Sequence, residues 1–207
     1  MLILSAMIAA SGFQPPVPLR PERWVTDADY PPSLMTEGIQ RVAKFRLVVS
    51  PEGSTKYCTI TMSSGDDIFD ALTCSLMMKR SKFSAARDRD GNTINSVFNS
   101  ALTWKLPDRP APDMSADIDL SVRELPKRLP KNPIIPLALL VSADGILEEC
   151  LPKEDKKKLA VLGSVACQQA KARWKPPTLV DENQVPVRSV QTITVRFSSD
   201  SEKMRKR

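Results

Sequence analysis

Apolar and polar positions follow two similar successions along the chain. The apolar run Phe45-Arg46-Leu47-Val48-Val49 stops at Ser50-Pro51-Glu52-Gly53, and a second run, Tyr57-Cys58-Thr59-Ile60-Thr61-Met62, stops at Ser63-Ser64-Gly65. These runs predict a strand over residues 42–49, a tight turn with Gly53 at positive φ, and an antiparallel return over 57–62. Helical spacing follows. Ile68, Leu72 and Leu76 lie four apart with Phe69 and Met77 alongside, and Asp66 or Asp67 is placed to cap the first turn. Residues 94–104 read as a third strand.

The succession then recurs. Val49, Ser50, Gly53 and Cys58 match Val141, Ser142, Gly145 and Cys150 at one constant offset, and Cys74 and Trp104 match Cys167 and Phe197 one residue further on. A fixed offset over this length is the mark of an internal repeat. The second half is therefore expected to carry strands near 135–142 and 146–151. A helix is expected near 156–173, with Leu159, Leu162, Ala166, Ala170 and Arg173 on one face, and a last strand over 187–197. The predicted fold class is α+β: two small β-β-α-β domains, each an antiparallel three-stranded sheet with one helix packed on it. The expected boundaries are a signal peptide over 1–12, a Pro-rich lead over 13–23, a first domain over 24–106, a Pro-rich linker over 107–119, a second and diverged domain over 120–198, and a basic tail over 199–207.

Composition narrows the chemistry. The chain of 207 residues has no histidine. That removes the usual general base and imidazole ligand, along with every Ser-His or Cys-His nucleophile. No other catalytic constellation stands out, so no enzyme, cofactor or metal site is expected. Asp66-Asp67 reads as a helix start, and Glu148-Glu149 as the polar face of a strand end. The net charge of +6 gathers in Lys156-Lys157-Lys158 and the tail from Lys203. Nucleic-acid binding would need aromatics interleaved with such charge; none are there, so no nucleic-acid partner is expected.

Residues 1–12 are almost wholly apolar and too short to span a bilayer. They have the length of a signal-peptide core followed by small residues, with no basic residue before them. Export and a mature start near Ser11 or Phe13 are expected. The four cysteines fit an oxidising compartment. Each repeat places one on its second strand and one in its helix, so Cys58–Cys74 and Cys150–Cys167 are the expected bridges, with free buried thiols the alternative. A four-cysteine zinc site lacks the necessary close pairs.

Tyr30-Pro31, Glu37-Gly38-Ile39, Gly53, Ser63-Ser64-Gly65, Phe69-Asp70, Phe83 with Ala85, and Asp90-Gly91 occur in this order over the first repeat. In this the repeat resembles the TonB C-terminal domain. Two positions depart from the family pattern: Arg41 stands where a second glycine is usual, and Ser84 where a proline is. The resemblance implies a periplasmic protein-interaction domain of Gram-negative bacteria that binds the N-terminal box of outer-membrane transporters. In that arrangement the last strand of the first domain lies at a sheet edge, and Ser96, Phe98, Ser100, Leu102 and Trp104 mark the strand expected to take up a partner segment or a second copy of the chain, the alternative being that the second domain or the linker covers that edge. The alternative is an energy transducer of the TonB class. The membrane anchor and long spacer of that class would then lie upstream of Met1.

Overall fold

The computed structural model describes residues 12–106, 109–110, 116–126, 129–153, 160–181 and 183–199. The expected signal segment up to residue 11 and the two basic runs fall outside them.

The first half runs β1 (Arg41–Val49), β2 (Thr55–Met62), α1 (Asp67–Arg80) and β3 (Ser96–Trp104). Gly53 turns β1 into β2 at φ 78°, and its N–H donates to the Ser50 carbonyl at 2.9 Å. Asp66 caps α1, its Oδ1 accepting from the N–H groups of Ile68 at 2.9 Å and Phe69 at 3.3 Å. Lys79 and Arg80 occupy the last turn, where cations favour the helix dipole. The apolar stripe is rotated from the predicted one. Phe69, Thr73, Leu76 and Met77 are buried, whereas Ile68 is 54% exposed. Phe69 wins the inward position because it stacks between Tyr30 and Trp104, at centroid distances of 5.4 and 5.2 Å.

The second half follows the same element order. β4 (Ile118–Val122) precedes β5 (Ile134–Val141), β6 (Leu147–Pro152), α2 (Ala160–Arg173) and β7 (Ser189–Ser199). Leu162, Gly163, Ala166 and Ala170 are the buried positions of α2, while Arg173 is exposed and Leu159 lies outside the described residues. Gly163 is required by proximity, since a Cβ there would lie 2.8 Å from Pro152 Cγ.

The fold is α+β, but the two expected three-stranded sheets are not separate. One seven-stranded sheet runs β6-β5-β7-β3-β1-β2, with β4 also on β7. β3 pairs antiparallel with β1 along nine residues, from Ser96↔Val49 to Trp104↔Arg41. β7 pairs antiparallel with β5 and, on its other side, runs parallel first to β3 (Val190↔Ser96 to Thr192↔Phe98) and then to β4 (Val195↔Ile118 to Ser199↔Val122). Part of the segment expected as linker thus folds as a strand. Ile118 and Leu120 are buried against Val195 and Phe197, and that burial outweighs the proline-rich surroundings.

Register places the helices on opposite faces. Residues paired across a ladder point to the same side. Phe98 packs with Trp24 and Phe83 under α1; it pairs with Thr192, which pairs with Ala138. Leu137 and Leu139, one step out of phase, pack on α2. The reverse face of the second half is closed by the N-terminal lead. Phe13 is buried with Ala86, Ala138, Leu140 and Val190, and Gln14 forms a two-way backbone bridge with Arg87 at 2.8 and 2.9 Å.

Candidate interaction surface

The four cysteines form two bridges, each tying a second strand to the helix above it. Cys58–Cys74 spans a Cα separation of 5.5 Å and Cys150–Cys167 one of 5.7 Å. Among the described residues, no group of three or more acidic or cysteine side chains converges as a metal site. The surface with chemistry to offer is the outer side of β3.

The five residues singled out on β3 share one face, and that face looks at α1. Ser96 is fully buried. Phe98 stacks on Phe83 at 5.1 Å. Leu102 packs against the aromatic clusters on either side of it, and Ser100 is half-buried between them. Trp104 is buried, its indole N–H donating to Thr73 Oγ1 at 3.0 Å, while that hydroxyl donates to the Phe69 carbonyl at 2.7 Å. Tyr30 donates to the Ile39 carbonyl. Burial raises its pKa, so the phenol stays a neutral donor. These side chains hold the strand in place; they do not present it to a partner.

The main chain of β3 alternates the other way. A residue's N–H and C=O share one side of the strand and switch sides at the next residue. The Val190 N–H donates to the Asn95 carbonyl at 3.1 Å, and the Asn99 N–H donates to Thr192 Oγ1 at 3.2 Å. Odd-numbered residues therefore face β7, and Ser96, Phe98, Ser100, Leu102 and Trp104 spend their main-chain bonds on β1. This corrects the expected edge residues: the outward groups belong to Val97, Asn99, Ala101 and Thr103. The edge itself is partly covered from the second half, as the alternative reading has it: β7 pairs along it from Ser96 to Phe98.

Beyond Phe98 the sheet forks. β7 turns away from β3 and takes β4 instead, leaving residues 100–104 with no strand on the outer side among the described residues. A cavity of about 170 Å³ opens in the fork, lined by Lys44, Asn99, Ala101, Asp117, Ile134 and Thr194. Asn99 Nδ2 donates to the Thr192 carbonyl at 2.7 Å. Lys44 Nζ lies 3.5 Å from Asp117 and donates to the Ala116 carbonyl at 2.8 Å. Asp117 Oδ2 accepts from the N–H and hydroxyl of Thr194 at 2.8 and 2.9 Å. The outward N–H groups of Ala101 and Thr103 lie just past this latch.

The fork residues escaped sequence reasoning. Lys44 and Asn99 sit in strands at positions that pattern alone assigns to solvent, and Asp117 sits in the expected linker. The partners of all three are more than 50 residues away in the chain, so no local signal marks them.

Residues 26–106 match the family model of the Gram-negative bacterial TonB protein C-terminal. No curated protein and no solved structure matches the chain.

Proposed function

Because residues 26–106 match the family model of the TonB C-terminal domain, we propose that this chain is a non-enzymatic periplasmic module that binds extended segments of other proteins, those of outer-membrane transporters above all. One observation supports this reading most. β3, the last strand of the family-matched region, has outward main-chain groups at Ala101 and Thr103 that no other strand satisfies among the described residues. Such an edge accepts an added strand through backbone hydrogen bonds, with side-chain pockets setting specificity. Among the described residues no helix is long and apolar enough to cross a membrane.

In this reading the second half is a diverged copy of the same domain. Its order of elements and its strand–helix bridge support the copy, as does the positive φ of 76° at Gly145, in the turn equivalent to that of Gly53.

Calorimetric titration with a synthetic peptide carrying the N-terminal box of an outer-membrane transporter tests the proposal. The parent chain binds. Ala101→Pro and Thr103→Pro each remove an outward donor, stay folded, and weaken binding at least tenfold. Ser100→Pro instead destabilises the fold, because its N–H serves the ladder to β1. Parental affinity in folded Ala101→Pro and Thr103→Pro variants would rule out pairing at this strand.

A further inference from the structure

The seam between the two halves is the shortest ladder in the sheet. β3 and β7 share a parallel ladder of only three residue pairs, from Val190↔Ser96 to Thr192↔Phe98. Their neighbours on either side are joined by antiparallel ladders of nine and eight pairs. Parallel pairing is somewhat less stable per residue, and local opening starts where ladders are short. Side chains supplement the seam. Asn99 donates to Thr192 through both its backbone N–H and its Nδ2, and Phe13 plugs the reverse face between Ala86 of the first half and Ala138, Leu140 and Val190 of the second.

β7 also lies on the outer side of β3, where the preceding section places the partner strand. Val97 and Asn99 point their main-chain groups to β7, and Ala101 and Thr103 point theirs the same way, where no strand of the described residues meets them. The partner edge is thus half covered, by a strand from the same chain.

We propose that β7 is a built-in competitor: it occupies the first part of the β3 edge in cis, and a partner strand that pairs along the whole of β3 must displace it. This rests on the binding reading above. The free edge at Ala101 and Thr103 offers a foothold. Full pairing also gains Val97 and Asn99, at the cost of the three-residue ladder and the Asn99–Thr192 bonds. The second half then sets the affinity of the first through an opening equilibrium, because the binding-competent state is only a fraction of the whole.

The full oxidised chain and two loosened variants test this with the same transporter-box peptide. Asn99→Ala combined with Thr192→Val removes the side-chain latch and keeps the β-branched shape. Phe13→Ala loosens the seam from the other face. Residue-resolved amide exchange reports the seam at Val97 and the integrity of the first half at Leu47 and Val49. The expected result is faster exchange at Val97, unchanged protection at Leu47 and Val49, and peptide affinity raised about tenfold in both variants. Faster exchange at Val97 with parental affinity would overturn the competitor role. Loss of protection at Leu47 and Val49 in both variants would also overturn it, by showing that the seam cannot open without the first half. If neither the parent nor an opened variant binds, the binding reading fails and the competitor role fails with it.

Discussion

Two glycines in equivalent turns show how the same backbone demand acquires different weight from its surroundings. Gly53 and Gly145 have φ of 78° and 76°, where any side chain costs roughly 1 kcal/mol. A Cβ on Gly53 would also lie 2.0 Å from the Phe83 carbonyl oxygen, whereas one on Gly145 would meet only Thr178 Oγ1 at 3.1 Å. The Phe83 carbonyl is fixed, because its own N–H donates to the Gly53 carbonyl at 2.9 Å. The Thr178 hydroxyl can rotate away. Gly53→Ala is therefore expected to cost at least about 3 kcal/mol and Gly145→Ala about 1 kcal/mol, read from urea unfolding midpoints. The need for glycine at Gly53 is legible in Pro51-Glu52-Gly53; the clash is not, because Phe83 reaches the turn only in the folded chain.

Asp29 carries a pH signature. The Arg80 guanidinium grips its carboxylate at 2.7 and 2.8 Å. That hydrogen bond, with further ones from Thr26, outweighs burial and holds its pKa at about 2, below the ordinary 3.8. A carboxylate with a depressed folded pKa contributes stability that is fully present above the unfolded value and is lost as pH falls from about 4 towards 2. The Arg80 side chain is 39% exposed, so solvent screening reduces the contribution to about 1 kcal/mol. Asp29→Asn should remove that amount at pH 7 and flatten the loss of stability between pH 4 and 2. An unchanged pH profile in denaturant titrations would assign the pair no role.

At the scale of elements, each helix is held to its sheet edge by a bridge. α1 covers β2 through Cys58–Cys74, and α2 covers β6 through Cys150–Cys167. Both edge strands are half-exposed, so burial alone fastens them poorly, and closing a loop of this length contributes about 3 kcal/mol in the chain-entropy model. Cys74→Ser should lower stability by about 2–5 kcal/mol, with amides of β2 losing exchange protection before those of β1. Equal loss in both strands would mean that the bridge does not act at the edge.

The strands and helices themselves were legible to within a few residues, because apolar runs of period two and the Asp66 cap are local signals. Two things were not. β4 is hidden in a Pro-rich stretch, since its five residues gain their order from β7, which follows 70 residues later. The other is the side from which β3 can be approached. Ser96, Asn99 and Ser100 give the strand the polarity of an exposed edge, but Ser96 is buried. Side-chain pattern reports faces, whereas strand addition depends on main-chain phase, which only the register to β1 and β7 reveals.

At the scale of the molecule, the two halves meet edge to edge, and a three-pair seam joins their strands into one sheet. Parallel pairing of β3 with β7 puts the helices on opposite faces, so each half leaves its reverse face to something else. The lead with Phe13 closes that of the second half. The arrangement covers about half of the β3 edge against indiscriminate pairing, and in the proposed reading Ala101 and Thr103 are the place where another chain begins.

Residue-resolved amide exchange on the full oxidised chain, free and saturated with a transporter-box peptide, tests this account most directly. In the free chain Val97 is protected by β7, while Ala101 and Thr103 exchange rapidly; with peptide, Ala101 and Thr103 become protected. Ala101 and Thr103 amides that exchange equally fast with and without saturating peptide would contradict it.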